Sequence, residues 1–321
     1  MVHESETNGD RSPSGPASTI DPVNPASAVE PKTAPQAAPA GVAELRAGQR
    51  LEGTFACARK DRLTARNGSV YLALELRDRS GSIPARVFRE VDRLGMRFNS
   101  GDAVVVSGRV ERFRDELVAE LDDVHRLEPG AYDPADFLPA AYRSVEELEG
   151  FLEHLVTEVH NESLRALVAR LVLAGPHAAE FRRAPCTRAG HHAYLGGLIE
   201  HTVAVGTLVL ETCQLHPRLN SDLLMAAALV HDIGKVREFT YGAEFGISDE
   251  GRMLGHLTIG ADLISGAADG LSDDDRLALL NCVLSHHGPG AGGRFASPEA
   301  LALYRINALD TGVKQSLERG L

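Results

Sequence analysis

The sequence predicts two folded domains in series, an all-β barrel followed by an all-α domain. Apolar side chains alternate with period two between about residues 41 and 130, and helical periodicity takes over from about residue 131. A chain of 321 residues is long enough to bury two cores. Residues 1–40 are rich in Pro, Ala and Ser, so we expect them to be a disordered tail.

Residues 41–130 are predicted to form a five-stranded barrel. We expect strands at 51–58, 70–76, 83–88, 103–113 and 117–124, and a short polar helix near 89–98. Five short strands with a helix between the third and fourth follow the order of an OB-fold. OB surfaces bind single strands through aromatic platforms and basic grooves. The candidate contacts are Lys60, Arg62, Tyr71, Arg77, Arg86, Phe88 and Phe113, with a place in the core as the alternative for the aromatic ones.

Helical patterns begin beyond residue 130. Ser144 and Glu147 form a capping box that opens the first helix. Further amphipathic stretches lie at 163–174, 194–214, 221–233, 254–268, 272–287 and 297–315. We expect a helical connector at 131–190 and a separate all-α domain at 191–321.

Polar side chains occupy core-facing positions on five of these helices. They are His201, His231, His256, His286 and Asp310. A lone buried histidine usually bonds to the backbone, but five such positions are difficult to explain that way. A buried carboxylate is costly unless a cation or partner stabilises it, and imidazole and carboxylate groups suit divalent transition ions. The pattern therefore predicts a metal site.

The ligand set is large enough for two ions. The first would be held by His201, His231, Asp232 and Asp310. The second would be held by His256 and His286, with Asp232 bridging the two ions about 3.5–4 Å apart. His287 is either a further ligand or a phosphate contact. Adjacent helical residues diverge by about 100°, so His287 can join His286 only if the helix ends there, as Gly288 indicates.

The order of these residues resembles the HD superfamily of metal-dependent phosphohydrolases. Four strings narrow the resemblance: HHAYLGGLIEHT at 191–202, HDIGK at 231–235, DEGRMLGH at 249–256 and SHHG at 285–288. With the preceding OB-fold, they resemble the YhaM-type 3′→5′ exoribonuclease family over about residues 41–315. The resemblance implies a bacterial enzyme that uses divalent metal ions to remove nucleotides from the 3′ end of single-stranded RNA, with DNA left open as a second substrate.

Three residues are predicted to be catalytic: Asp232, Lys235 and His192. The ions would activate a water molecule for attack on phosphorus, and Lys235 would contact a phosphate oxygen. The alternative for Lys235 is a charge that offsets a helix dipole. His192 would donate a proton, while His191 and Arg252 would contact the substrate. A plain loop role remains open for one of the two histidines.

Composition limits the other possibilities. The net charge of −12 divides into −3 for residues 1–40, +1 for 41–130 and −10 for 131–321, so local patches or metal ions must attract a polyanion. No apolar run is long enough to span a membrane, and Cys57, Cys186, Cys213 and Cys282 are scattered, so a cytoplasmic protein with core thiols is expected.

Several questions stay open at this point. Manganese is the first choice of metal, with iron, cobalt and zinc as alternatives. The rival functions are an HD phosphohydrolase for a small nucleotide, with the OB-fold as a regulatory or oligomerisation module, and a non-catalytic nucleic-acid-binding protein. RNA versus DNA preference and homo-oligomer formation are also left open.

Overall fold

The computed structural model describes residues 41–318 and Gly320, so the tail expected at residues 1–40 lies outside the described residues. The described chain contains a closed β-barrel followed by a helical domain, which confirms the predicted fold class. No helix within 41–318 has both the length and the apolar character needed to cross a membrane.

The barrel has five strands, with one helix between the third and the fourth. The elements are β1 (Arg50–Thr64), β2 (Val70–Asp78), β3 (Gly81–Val87), α1 (Val91–Gly95), β4 (Ala103–Phe113) and β5 (Glu116–Arg126). The strands close in the order β1-β2-β3-β5-β4, with β3 and β5 parallel. Leu72, Leu74 and Leu76 alternate into the interior, where each is at most 4% exposed. This is the arrangement of an OB-fold.

A bulge in β1 changes the direction of one predicted contact residue. The register with β2 shifts between Cys57 and Arg59, which places Lys60 opposite the buried Leu74. The Lys60 ammonium donates to the carbonyl oxygens of Gly95 and Phe98, each 2.5 Å away. Lys60 therefore holds the end of α1 on the barrel, and its contact with a nucleic acid stays a prediction.

The helical domain contains nine α-helices among the described residues. They are α2 (Val145–Thr157), α3 (Glu162–Ala169), α4 (Ala178–Arg183), α5 (Gly197–Leu215), α6 (Ser221–Val230), α7 (Lys235–Glu238), α8 (Asp249–Ala267), α9 (Asp273–Ser285) and α10 (Pro298–Glu318). Every residue from Leu223 to Val230 is buried, so α6 lies at the centre of the bundle. Helices α2 to α4 share one hydrophobic core with the later helices.

A short hairpin that the sequence patterns did not predict interrupts the helices. Its strands are β6 (Phe239–Tyr241) and β7 (Phe245–Ile247). Arg77 of the barrel donates to the carbonyl oxygen of Ala243 at 3.4 Å and lies 3.6 Å from the Glu244 carboxylate. Ala243 also packs against Ala56 and Phe137. The hairpin therefore contacts the barrel directly.

Candidate metal centre

Five helices bring the predicted metal ligands together around one carboxylate. His201 lies within α5, His231 and Asp232 follow α6, His256 lies within α8, His286 and His287 follow α9, and Asp310 lies within α10. Gly234 allows the close approach of α8, because a Cβ there would lie 2.0 Å from the carbonyl oxygen of His256. The side chains of His201, His231, Asp232 and His286 are all at most 2% exposed.

The two oxygens of Asp232 face two separate groups of imidazoles. Oδ2 lies 3.3 Å from Nε2 of His231 and 3.6 Å from Nε2 of His201. Oδ1 lies 3.5 Å from Nε2 of His286 and 3.6 Å from Nε2 of His256. Each oxygen of Asp232 therefore faces one group of imidazoles, which is the arrangement that a carboxylate bridging two metal ions needs.

The hydrogen bonds of the four rings fix which nitrogen faces Asp232. Each Nδ1 is directed at an oxygen: Asp310 for His201 (2.7 Å), the Ala228 carbonyl for His231 (2.8 Å), Glu238 for His256 (3.3 Å) and the Val283 carbonyl for His286 (2.6 Å). A carbonyl or carboxylate oxygen only accepts, so each Nδ1 carries the proton and each Nε2 presents a lone pair. Second-shell acceptors of this kind orient metal-binding histidines.

Lone pairs that converge on a carboxylate repel one another unless a cation lies between them. Asp232 Oδ1 and His286 Nε2 are buried and have no hydrogen-bond partner among the residues that the structure describes. Such orphaned buried atoms are costly, and coordination would satisfy both. The residues present therefore fit a divalent transition ion.

The electrostatics favour neutral imidazoles around an ionised carboxylate. Burial lowers the pKa of His201 to about 4 and that of His286 to about 4. Burial alone would raise the pKa of Asp232, but the Lys235 ammonium and His231 beside it hold this pKa well below its usual range. Neutral nitrogens and a charged carboxylate are the ligand forms that a metal ion requires.

His287 joins the second group because α9 ends where the sequence indicates. The helix stops at Ser285, and Gly288 has a φ of 75°, in the left-handed region that glycine tolerates. Nε2 of His287 lies 2.9 Å from Nε2 of His256. One ligand atom from each of Asp232, His256, His286 and His287 fits within a 4.8 Å cluster.

Asp310 lies at the centre, but on a different side of His201 from the one expected. Its Oδ2 accepts from Nδ1 of His201, whereas the Nε2 of that ring faces His231 and Asp232. The two nitrogens of an imidazole point in divergent directions, so Asp310 does not lie in one group with Asp232 in this structure. Its position is that of a carboxylate orienting a metal-binding histidine.

Lys235 and Cys186 form a buried pair beside Asp232. The Lys235 ammonium donates to Asp232 Oδ2 at 2.6 Å and to Cys186 Sγ at 3.3 Å. Burial raises the pKa of the Cys186 thiol to about 12, so the sulfur stays protonated. Cys186 was expected only as a core thiol, since it lies in an irregular segment without periodicity and nothing in the sequence placed it at the site.

The other predicted site residues of this domain lie at different depths. His192 is 2% exposed, and both its ring nitrogens face partners, Tyr194 at 2.9 Å and Asp310 at 3.2 Å. His191 is half-buried, with Nε2 4.0 Å from Cys186 Sγ. Arg252 is exposed in the first turn of α8 and pairs with Asp249. Gly255, with a φ of 69°, breaks the helix between Arg252 and His256.

On the barrel, the structure brings four of the seven candidates into two pairs. The rings of Tyr71 and Phe88 lie 5.5 Å apart, and the Arg86 guanidinium lies 4.3 Å over the Phe113 ring. Phe88 and Phe113 are each 44% exposed. Arg62 pairs with Asp92 at 3.2 Å. Lys60 and Arg77 bond elsewhere, which leaves two pairs of candidates, half-buried Tyr71 with exposed Phe88 and half-buried Arg86 with exposed Phe113.

The fold and the site define a protein with an OB barrel and an HD-type metal centre, and known families agree. Residues 198–312 match the HD domain family, and residues 57–127 match the family described as OB-fold nucleic acid binding domain. The chain belongs to the YhaM family. It is 31% identical over 264 residues to the 3'-5' exoribonuclease YhaM of Bacillus subtilis, covering 79% of this chain and 83% of that protein.

Further relatives and solved structures are similar over different shares of the chain. The 3'-5' exoribonuclease YhaM of Oceanobacillus iheyensis is 29% identical over 276 residues, covering 84% of this chain and 86% of the relative. The second OB-fold domain of replication protein A from Methanococcus maripaludis is 21% identical, covering 28% of this chain and 96% of that chain, with a TM-score of 0.23. At that score the structural likeness adds nothing to the family match.

Proposed function

We propose that this protein is a divalent-metal-dependent 3′→5′ exoribonuclease. The barrel holds single-stranded RNA, and the helical domain hydrolyses the phosphodiester bond at its 3′ end. Membership of the YhaM family supports the activity. The observation that carries the catalytic assignment is the convergence of four imidazole lone pairs on Asp232, with Oδ1 of Asp232 and Nε2 of His286 orphaned.

The ligands divide between two ion positions that share Asp232. His201 and His231 serve one position. His256, His286 and His287 serve the other. When bound, the ions supply a Lewis acid for the phosphate and lower the pKa of an attacking water. We propose manganese as the physiological metal, because mixed nitrogen and oxygen ligands suit it, with iron, cobalt and zinc as the alternatives to be titrated.

The chain's own residues prepare the centre for a phosphate. Lys235 donates to Asp232 Oδ2, which keeps that carboxylate ionised and places positive charge beside the reacting phosphate. His191 is half-buried beside Cys186, and Arg252 is exposed on α8, the helix that carries His256. We assign these two side chains to the 3′-terminal nucleotide. The buried side chains of His201, His231 and His286 keep bulk water from Asp232.

The barrel supplies a second contact for the RNA. Tyr71 and Phe88 offer a paired aromatic surface, and Arg86 over Phe113 offers a cation beside an exposed ring. Every base has a π-face, so such a platform binds single strands without sequence preference, and it would accept single-stranded DNA as well.

Location in the cytoplasm is also a proposal, supported by four free cysteines among the described residues.

One digestion experiment tests the whole proposal. A 5′-labelled single-stranded RNA is incubated with Mn²⁺ and either the wild type, Asp232→Asn, or the control Asp274→Asn, which changes an exposed carboxylate in the first turn of α9. A ladder shortening from the 3′ end with the wild type and the control, and absent with Asp232→Asn, is expected. An intact RNA alongside hydrolysis of free nucleotides would transfer the assignment to a small-nucleotide phosphohydrolase. Light scattering on the same samples tests for a homo-oligomer.

A further inference from the structure

A line of polar side chains lies behind the metal centre, on the side away from Asp232. It starts at His201, whose Nδ1 donates to Asp310 Oδ2 at 2.7 Å. The same oxygen lies 3.2 Å from Nε2 of His192. Nδ1 of His192 then lies 2.9 Å from the Tyr194 hydroxyl and 3.4 Å from Glu200 Oε2. His192 therefore stands between two carboxylates.

The outer end of the line is also fixed. The Tyr194 hydroxyl donates to Glu200 Oε2, and the Lys314 ammonium lies 3.7 Å from the same oxygen. Glu200 immediately precedes His201 on α5, so the two side chains leave the helix in different directions. One helix therefore carries both a metal ligand and the carboxylate that ends the line behind it.

The backbone of His192 shows that this position is held against its own preference. Its φ is 50°, in the left-handed region that residues other than glycine rarely adopt. The carbonyl oxygen of His192 accepts from the Cys186 amide at 3.0 Å, and a Cβ on Gly197 would lie 2.1 Å from that oxygen. A strained conformation persists only where the surroundings over-determine it, and such residues cluster at functional sites.

His192 is also sealed from a substrate. The side chain is 2% exposed, and both ring nitrogens face partners within the protein. A proton donor to the leaving oxygen needs a free nitrogen within reach of the RNA. The role as proton donor expected from the sequence is therefore replaced by a role exerted through Asp310.

We propose that His192, clamped by Tyr194 and Glu200, is a positioning residue that fixes Asp310 against Nδ1 of His201 and so aims Nε2 of His201 at the ion position. This inference rests on the proposed metal-dependent function and adds three residues to it. Without the clamp, the Asp310 carboxylate turns freely, His201 loses its fixed tautomer, and the ion position loses one oriented ligand.

The test is a titration that contains no RNA. Mn²⁺ is added to protein freed of metal by EDTA and dialysis, and binding is measured by calorimetry for the wild type, Glu200→Gln, Tyr194→Phe and the control Glu211→Gln. Glu211 is exposed on the same helix, α5. Loss of a second-shell partner typically weakens metal binding about 10–100-fold, so we expect a loss of about tenfold in the first two variants and none in the control. Circular dichroism shows that each variant is folded.

A second pair of variants separates positioning from packing. His192→Gln keeps an amide that can donate to Asp310, whereas His192→Phe keeps the ring volume and loses both nitrogens. We expect His192→Gln to retain more Mn²⁺ affinity than His192→Phe. In RNA digestion, kcat should fall with KM unchanged. Wild-type Mn²⁺ affinity in folded Glu200→Gln and Tyr194→Phe would overturn the inference, and so would a raised KM with unchanged Mn²⁺ affinity. Loss of RNA digestion by the wild type would instead overturn only the proposed function.

Discussion

The ammonium of Lys235 lies 2.6 Å from Oδ2 of Asp232, and the two side chains are only 6% and 2% exposed. Burial alone would lower the pKa of Lys235, but the Asp232 carboxylate raises it above its usual range. The lysine is therefore a permanent internal cation, and the carboxylate it touches is the one that both groups of imidazoles face.

Lys235→Met should destabilise the metal-free protein strongly. Removing one partner of a buried ion pair leaves an uncompensated charge and costs about 3–5 kcal/mol. Urea unfolding of EDTA-treated protein measures the change, and added Mn²⁺ should restore part of the loss. The control is Arg276→Met, which breaks an exposed pair with Asp273 and should cost under about 1 kcal/mol. Equal effects of the two substitutions would show that Asp232 does not depend on Lys235.

The metal-free protein should lose stability as the pH falls from 6.5 toward 4. Burial lowers the folded pKa of His191, His201 and His286 to about 4 and that of His287 to about 3, against an ordinary 6.5, so the unfolded chain takes up protons first. Above pH 6.5 these rings are neutral in both states and do not affect the free energy of unfolding. Below pH 6.5 the free energy of unfolding falls, with a slope of up to about 1.4 kcal/mol per pH unit for each histidine. The pKa of His192 is raised, so its contribution stays constant in this window.

Urea unfolding at several pH values in EDTA checks this slope. His286→Asn should flatten it by about one proton, because it removes one of the four histidines with a lowered pKa. His216→Asn changes an exposed histidine and should leave the slope as it is. A wild-type stability that does not vary between pH 6.5 and 4 would contradict the lowered pKa values.

Tyr71→Ala and Phe88→Ala should each weaken the binding of single-stranded RNA. A base stacked on an aromatic side chain contributes about 1–3 kcal/mol, so the dissociation constant should rise by about tenfold or more. Fluorescence anisotropy in an Asp232→Asn background measures binding without cleavage. Tyr142→Ala is the control, because Tyr142 is fully exposed and lies outside the barrel. Unchanged binding in both barrel variants would place the RNA elsewhere.

The sequence predicted the barrel, the helices and the cluster of metal ligands because each depends on local periodicity. His201, His231, His256 and His286 lie on apolar helix faces, and those faces meet in the structure. The hydrophobic periodicity of a helix does not specify which way an imidazole ring on that helix faces. Whether Asp310 meets Nε2 or Nδ1 of His201 depends on how α5 and α10 pack, which the pattern of either helix alone does not contain.

Two other residues show different limits of sequence patterns. Lys60 counts as outward-facing by simple alternation, but the bulge after Cys57 moves it to the inner face, and no turn residue marks that bulge. Cys186 reaches the centre from an irregular segment, where spacing predicts nothing. The hairpin β6–β7 has strands of three residues each, which is too short for alternation to be recognised.

Arg77→Ala should loosen the hairpin and leave RNA binding by the barrel unchanged. The substitution removes the donor to the Ala243 carbonyl oxygen and the cation facing Glu244. Hydrogen exchange of residues 239–247 should become faster, because local opening depends on such contacts. Arg59→Ala is the matched control, since Arg59 pairs with Asp61 on the same barrel. Weaker RNA binding without faster exchange would return Arg77 to the list of nucleic-acid contacts.

The hairpin that rests on the barrel also begins beside the metal centre. Ala243 packs against Ala56 of the barrel, while Glu238, the residue before β6, bonds to His256. An RNA held on the barrel and cut at the centre must span this fixed separation. Once the strand is shorter than this separation, it can no longer contact the barrel and the metal centre at the same time. The enzyme should therefore leave a short RNA product of constant length, and this length should not depend on the RNA sequence.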